Sequence, residues 1–393
     1  MNMSIGKKAC NLKRLLAPVA LLFYLSVPAQ AQEAEWKRLS DEAGMLYNQG
    51  KLVQAEEAAQ QALVVAESTL GPDHPNVAAS LNSLARLHKS LGRHAQAEQH
   101  YRRALAIYEK ALGPEHPYVA TNLNNLAQLY DEKGQYAQAE LLYLRSLAIR
   151  EKALGPEHPA VAASLSNLGL LYETKGQYAQ AEPLYRRALA IYEKTRAPDH
   201  QDVAVVLGNL AKLHHAQGQY LQAEPLFKRS TAIFQTARPE HPTVATSLNN
   251  LAALYNDQGK YPQAELLYKQ ALAIYEKALG PENSDVALSL HNLAVLYEVQ
   301  GQYAQAEPLY QRALAVYEKT LGPDHPDLAG SLNGLAVLYK SQGQYAQAEP
   351  LYQRALAIYE KALGPEHPAV ARGLNNLAVL YKAQGRYVQA EAL

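Results

Sequence analysis

The chain has almost no cysteine: Cys10 is the only one in 393 residues. A single thiol excludes an intrachain disulfide framework and any thiolate metal cluster. Tryptophan is as scarce, with Trp36 alone, and phenylalanine occurs 3 times against 27 tyrosines. Neither charge sign is in excess, since Lys+Arg and Asp+Glu are both 37. That balance supplies no field for nucleic acid or an anionic membrane surface, so neither is an expected partner. Long apolar runs are missing too. The longest, Leu15 to Val27, has 13 residues, and a membrane-spanning helix takes about 20. No GxGxxG, phosphate loop, nucleophile elbow or paired-carboxylate constellation occurs. The expectation is therefore no catalytic site, no metal and no cofactor.

The first 31 residues differ in kind from the rest. Lys7, Lys8, Lys13 and Arg14 precede the apolar run, and PAQA ends at Ala31 with Ala29 two before it. This is the pattern of a cleaved secretory signal, so the mature chain is expected to begin at Gln32 and to lie outside the bacterial cytoplasm, in the periplasm or beyond, without membrane insertion. Cys10 lies before the apolar run, which argues against a lipidated cysteine at the mature end. Removal of the leader takes 4 cations from 37 and leaves 33 against 37 acidic residues, and no cysteine at all.

What the chain has in abundance is itself. A glycine recurs at Gly50, Gly92, Gly134, Gly176, Gly218, Gly259, Gly301, Gly343 and Gly385, in steps of 42 with one step of 41. The short step lies beside a loop, where IFQTARP is one residue tighter than IYEKTRAP. Within one copy, Tyr118 to Pro159, Val119, Leu123, Leu126, Ala127, Leu129 and Tyr130 share one arc of a helix, A. Ala139, Leu142, Tyr143, Leu147 and Ile149 form the stripe of a second, B. Gly134 ends the first as a residue free to take positive φ, and Gly155 ends the second. GPEHP then joins one copy to the next, with proline and an acidic residue where a helix start favours them. Two amphipathic helices so closely linked form an antiparallel hairpin, and one hairpin cannot bury both apolar faces alone. Stacked copies can.

The residues NLAQLYDEKGQYAQAELLYLRSL, with Leu126, Ala127, Tyr130, Gly134, Tyr136, Ala139 and Tyr143, resemble the tetratricopeptide consensus. The longer helices and the GPEHP joint resemble the 42-residue variety found in kinesin light chains and many bacterial proteins. The resemblance implies an all-α fold, a right-handed superhelical solenoid of antiparallel helix pairs. It spans a degenerate first repeat at 32–75, with Glu42, Leu46 and Leu52 off pattern, and regular repeats over 76–393, the last incomplete. Such solenoids bind other proteins. The implied function is a non-enzymatic scaffold holding a partner protein or extended peptide in the concave groove lined by helix A. The alternative is the regulatory half of an enzyme system, joined to a protease-like or signalling domain that this sequence lacks.

Seven of the 13 histidines sit in the joint, at His74, His116, His158, His200, His241, His325 and His367. One per hairpin, with packed helices about 8–10 Å apart, is poor spacing for a shared metal, so they read as helix-start residues. His88 and His94 replace packing tyrosines. Tyr130, Tyr136 and Tyr143 occupy packing slots, with the hydroxyl reaching the edge.

The polar arc of helix A is the informative surface. One column runs Asn82, Asn124, Ser166, Gly208, Asn249, His291, Asn333 and Asn375. The next holds Asn125, Asn167, Asn209, Asn250, Asn292 and Asn376. Asparagine is a poor helix former whose amide both donates and accepts. The resemblance matches the first column to peptide-clamping positions, while the second is expected to bond the neighbouring hairpin. Specificity is expected from the positions that vary: Arg86, Gln128, Leu170, Lys212, Ala253, Val295, Val337 and Val379, then Lys89, Asp131, Glu173, His215, Asn256, Glu298, Lys340 and Lys382. The candidate groove residues are thus Asn82, Asn124, Asn249, His291, Asn333, Asn375, Gln128, Lys212, Lys340 and Lys382. The sequence stops a few residues into the last helix B, so Leu374, Leu377, Leu380 and Tyr381 are expected to lack cover. Association through that end, or a longer parent protein, is the corresponding expectation.

Overall fold

A computed structural model describes residues 29–393, as 18 helices with no strand among the described residues. The expected leader, with Cys10, lies outside the described residues except for 29–31, which open the first helix, Ala29–Asn48. No helix among the described residues is long and apolar enough to cross a membrane. From Pro75 onward each A helix has 16 residues, while complete B helices have 18 or 19. The pairs make nine hairpins, numbered here from the first, Ala29–Asn48 with Leu52–Leu70. The described residues fall into two compact bodies, one ending at Thr195 and the other spanning Arg196–Leu393.

The punctuation explains the hairpins. At the first turn of the third, Gly134 takes φ 70, its N–H reaches Asp131 O at 2.9 Å and the Gln135 N–H reaches Tyr130 O at 2.8 Å. These two bonds close a Schellman motif, which a side chain at that φ would strain. The next helix begins on the joint histidine. His116 holds extended φ/ψ, Pro117 follows at the first helical position, and His116 Nδ1 accepts from the Tyr118 N–H at 3.2 Å. The same imidazole bond recurs at His74, His158, His200, His241, His325 and His367, and Asn283 makes it with its side-chain oxygen at 2.8 Å. An orphan helical N–H is satisfied each time.

In each body a B helix packs on the A helix of its own hairpin and on that of the next, and successive A helices touch. Leu123, Leu129 and Ala139 are wholly buried, and their counterparts in the second to eighth hairpins are buried. Two expectations need correction. Tyr136 is 36% exposed: it stands on the first turn of helix B, outside the stripe that Tyr143 and Ala139 share. On the last A helix, Leu377, Leu380 and Tyr381 are buried in one cluster with Ala336, Ala348 and Tyr352, and Leu374 is half-buried. The eighth hairpin covers that stripe, so the bare apolar end is not found there.

Replacing His116 by alanine should lower unfolding free energy by about 1 kcal/mol, the usual loss for a cap acceptor, while asparagine should restore it as Asn283 does. Urea titration of the two variants checks this. Equal losses for both would show that the ring's bulk matters rather than its acceptor nitrogen.

Candidate functional site

The two asparagine columns meet in the seam between hairpins. Asn125 Nδ2 donates to Asn82 Oδ1 at 3.0 Å, Asn167 to Asn124 at 2.9 Å and Asn376 to Asn333 at 2.9 Å. Three of the six asparagines in the second column thus bond the neighbouring hairpin, and their acceptors belong to the first column. Asn124 and Asn249 are 7% and 6% exposed, and Asn249 donates to Ser289 Oγ at 2.8 Å. His291 meets Ser331 Oγ at 3.1 Å. The clamping role expected of Asn82, Asn124, Asn249, His291 and Asn333 therefore gives way to a structural one. Their side-chain bonds run across the seam to the neighbouring hairpin. Asn375 is exposed and makes no side-chain hydrogen bond.

The variable positions divide in the same way. Lys89 pairs with Glu132 at 2.9 Å, His215 with Asp257 at 2.8 Å, and Glu173 and Glu298 accept the Tyr185 and Tyr310 hydroxyls at 2.7 and 2.6 Å. Gln128, Lys212, Lys340 and Lys382 make no hydrogen bond and no ion pair, and burial grades from half-buried to exposed. The B helices are unlike this. Their exposed cations bridge hairpins in register, as Arg145 to Glu109 at 2.6 Å and Lys152 to Glu115 at 2.5 Å, with equivalents in both bodies. A clasp reinforces each seam. Glu98 accepts the Tyr130 hydroxyl at 2.9 Å and the Lys133 ammonium at 2.7 Å, and Glu140 does the same with Tyr172 and Lys175. Lys133 holds the Glu98 carboxyl below the usual range, and Lys228 with Lys260 holds Glu224 at about 2. In the second hairpin His88 takes the tyrosine's place and reaches Glu56 at 3.0 Å.

Both glycines that interrupt the amide columns leave a gap, and the gaps differ. At Gly334 a Cβ would meet the Tyr310 ring at 2.6 Å, so that ring already fills the space. At Gly208 a Cβ would meet nothing nearer than Ser230 Oγ at 3.3 Å, and a cavity of about 180 Å³ opens beside it. Lys212, Asn209 and Asn250 stand at its rim, and Phe227 and Phe234 form part of its wall. The columns announced every position here except the void. Sequence reading also passed over Arg150, which stands where Tyr108 and Tyr192 stand in adjacent hairpins. It is 8% exposed and donates to Ala160 O at 3.0 Å, Ser164 Oγ at 2.8 Å and Thr121 Oγ1 at 3.4 Å. Burial pushes its pKa down, and no carboxylate bonds it. The break in the tyrosine column was the available signal. Among the described residues no group of three or more His, Cys, Asp or Glu could hold a metal ion.

Burial lowers the His291 pKa from 6.5 to about 4, with Asp327 opposing weakly. The unfolded chain then binds more protons below pH 6.5, so stability at this site is present above that value and lost as pH falls toward 4. Each pKa unit corresponds to about 1.4 kcal/mol. The expected outcome is that His291→Asn flattens the decline in stability between pH 6.5 and 4, measured by urea unfolding at stepped pH; an unchanged slope would assign the decline to other groups.

Comparison with known proteins agrees with the repeat geometry. The tetratricopeptide repeat family matches in seven stretches, at residues 39–110, 89–152, 134–194, 174–236, 202–277, 285–361 and 331–393. No curated protein matches the chain. Among solved structures, the nearly identical kinesin light chain TPR-like repeats of Podosopora anserina are similar at 33% identity, over 52% of this chain and 98% of that one, with TM-score 0.46. BtubC of P. vanneervenii is similar at 27% identity, over 60% of this chain and 93% of that one, with TM-score 0.49. The quorum sensor NprR of B. thuringiensis, in its apo form, shares the fold at 14% identity, over 92% of this chain and 97% of that one, with TM-score 0.61. With matches running from Leu39 to Leu393 and a 42-residue helical hairpin as its repeating element, the chain belongs to the tetratricopeptide repeat family.

Proposed function

We propose that this tetratricopeptide scaffold is exported and non-enzymatic, and that it holds an extended segment of a partner protein on the face of its A helices. One observation carries the reading: the polar groups that recur in the joints, the seams and the outer B helices are largely engaged, while three lysines on the A helices are not. Joint histidines are used as caps, the first asparagines in the seam, and the outer cations in pairs across hairpins. Lys212, Lys340 and Lys382 are left over on helix A. A cation without a partner in the free protein is available to one that arrives, and complementary charge steers association and fixes register. Backbone groups of an extended segment could meet the amides of Gln128, Asn209 and Asn250, which make no other bond.

Panning a random dodecapeptide library on the full mature chain should enrich binders. Reversing Lys212, Lys340 and Lys382 together to glutamate should weaken those binders at least tenfold, about 1.4 kcal/mol. Failure to enrich any peptide, or indifference of all binders to the triple reversal, would remove the reading.

Export is motivated by the basic start, the apolar run and PAQA. Intact mass of the protein from a bacterial envelope fraction should begin at Gln32. A dominant species that retains residues 1–31 counts against it.

A further inference from the structure

We infer that the cavity beside Gly208 is a side-chain subsite, which takes one phenyl- or leucine-sized apolar group from a partner segment whose adjacent residue presents a carboxylate to Lys212. The inference rests on the reading of the A-helix face as the partner-binding face and adds the partner's chemistry.

The cavity lies between the A helices Gln201–Ala216 and Pro242–Asp257, inside the second body. Glycine within a helix is the least favoured residue after proline, so its presence at 208 asks for a reason. Packing supplies only a slight one, a contact of 3.3 Å that must give by a few tenths of an ångström. The nearest neighbour of an added Cβ is Ser230 Oγ, which donates to Ala204 O at 2.7 Å. Two hairpins earlier Ser146 Oγ donates to Ala120 O at the same 2.7 Å, and there Asn124 fits beside it. A side chain is therefore admissible at 208, and its omission leaves space. The omission also frees Asn250, whose counterparts Asn125 and Asn376 donate to the residue one hairpin back. Asn250, Asn209 and Lys212 border the void with no side-chain hydrogen bond.

The wall has changed in concert. The chain contains 3 phenylalanines, and the two within the repeats, Phe227 and Phe234, both line this cavity. They stand where other hairpins carry Tyr268 and Tyr275. Loss of two hydroxyls leaves two bare phenyl rings in a wall that also carries the hydroxyls of Ser230, Thr243, Thr246 and Ser247. A void of about 180 Å³ matches one large side chain, not a whole helix or a drug-sized ligand. No carboxylate lines it, while an ammonium stands at its rim. An apolar group next to an acid meets both features. The cavity two hairpins on, about 270 Å³ between Leu288 and Gly330, is lined by Tyr317, Tyr359 and Asp327 and offers neither.

Peptides enriched from the dodecapeptide library on the wild-type chain supply the test. They should pair Phe, Leu or Met with Asp or Glu. Gly208→Asn should fold as Asn124 does and refill the void, with melting temperature unchanged or raised. Fluorescence anisotropy of a labelled binder should then show at least a tenfold loss on Gly208→Asn. Trimming the peptide's apolar residue to alanine should cost the same on wild type and nothing further on Gly208→Asn. Lys212→Gln should abolish the preference for Glu over Gln in the peptide. Binders that hold Gly208→Asn as tightly as wild type, yet fail with the triple lysine reversal, overturn the subsite and leave the binding face standing. Absence of any enriched peptide overturns both.

Discussion

No hairpin of this chain can exist with its apolar stripes in water, so everything depends on the seam that each forms with the next. The seam is built in layers. Leucines and alanines of helix A meet tyrosine and alanine of the two flanking B helices, and burial of a large apolar side chain contributes roughly 1.5–3 kcal/mol. An amide pair such as Asn125 with Asn82 lies at one edge, and a clasp such as Glu98 with Tyr130 and Lys133 at the other. A bond of this kind nets about 0.5–1.5 kcal/mol, and the exposed bridges between B helices about 0.2–1 kcal/mol each. Apolar burial therefore carries the stack. The polar pairs set its register, because an amide or carboxylate displaced along the seam by one turn meets no partner.

That division explains how a nearly uniform chain can be selective. Groups that hold the register are unavailable for ligands, whatever their chemistry. Asn124 has the side chain of a peptide clamp and the burial of a core residue, and burial decides. Lys212 has no special chemistry at all, yet no neighbour engages it. Function in a repeat fold thus follows from what the seam leaves over, and a residue's type is a weaker guide than whether its bonds are already made.

The hairpins, their ends and their packing stripes were legible because each is a local matter. Glycine at positive φ, proline at the first helical position and a histidine acceptor before it act within a few residues of themselves. Nine copies of the same pattern also remove the noise that blurs a single helix. The asparagine columns were visible but misassigned in part. Helical periodicity puts a residue on an arc, whereas the line between groove and seam depends on where the next hairpin lies. Tyr136 failed for a similar reason: it carries the residue type of the core on the first turn of helix B. The cavity could not be read from the columns, since a glycine in either one, 208 in the first or 334 in the second, does not reveal what fills the space beside it. Only the position of Tyr310 separates the filled gap from the open one.

Departures from the repeat then become the informative positions, provided that they are correlated in space. Arg150 is a single departure, and the neutral oxygens of Ala160 and Ser164 answer it within the same body. His291 and Gly334 are paired departures that the Tyr310 ring reconciles, its edge set against the imidazole at 5.6 Å. Both sets end with bonds made. Gly208, Phe227 and Phe234 lie within 27 residues of one another, and they converge on one void whose rim groups stay unbonded. Drift at a packing position is penalised by a cavity or a clash, and compensation by a neighbour is the ordinary repair. Three changes that open a cavity and face it with two bare phenyl rings are the reverse of repair, and that is the reason to read them as a ligand's imprint rather than as wear.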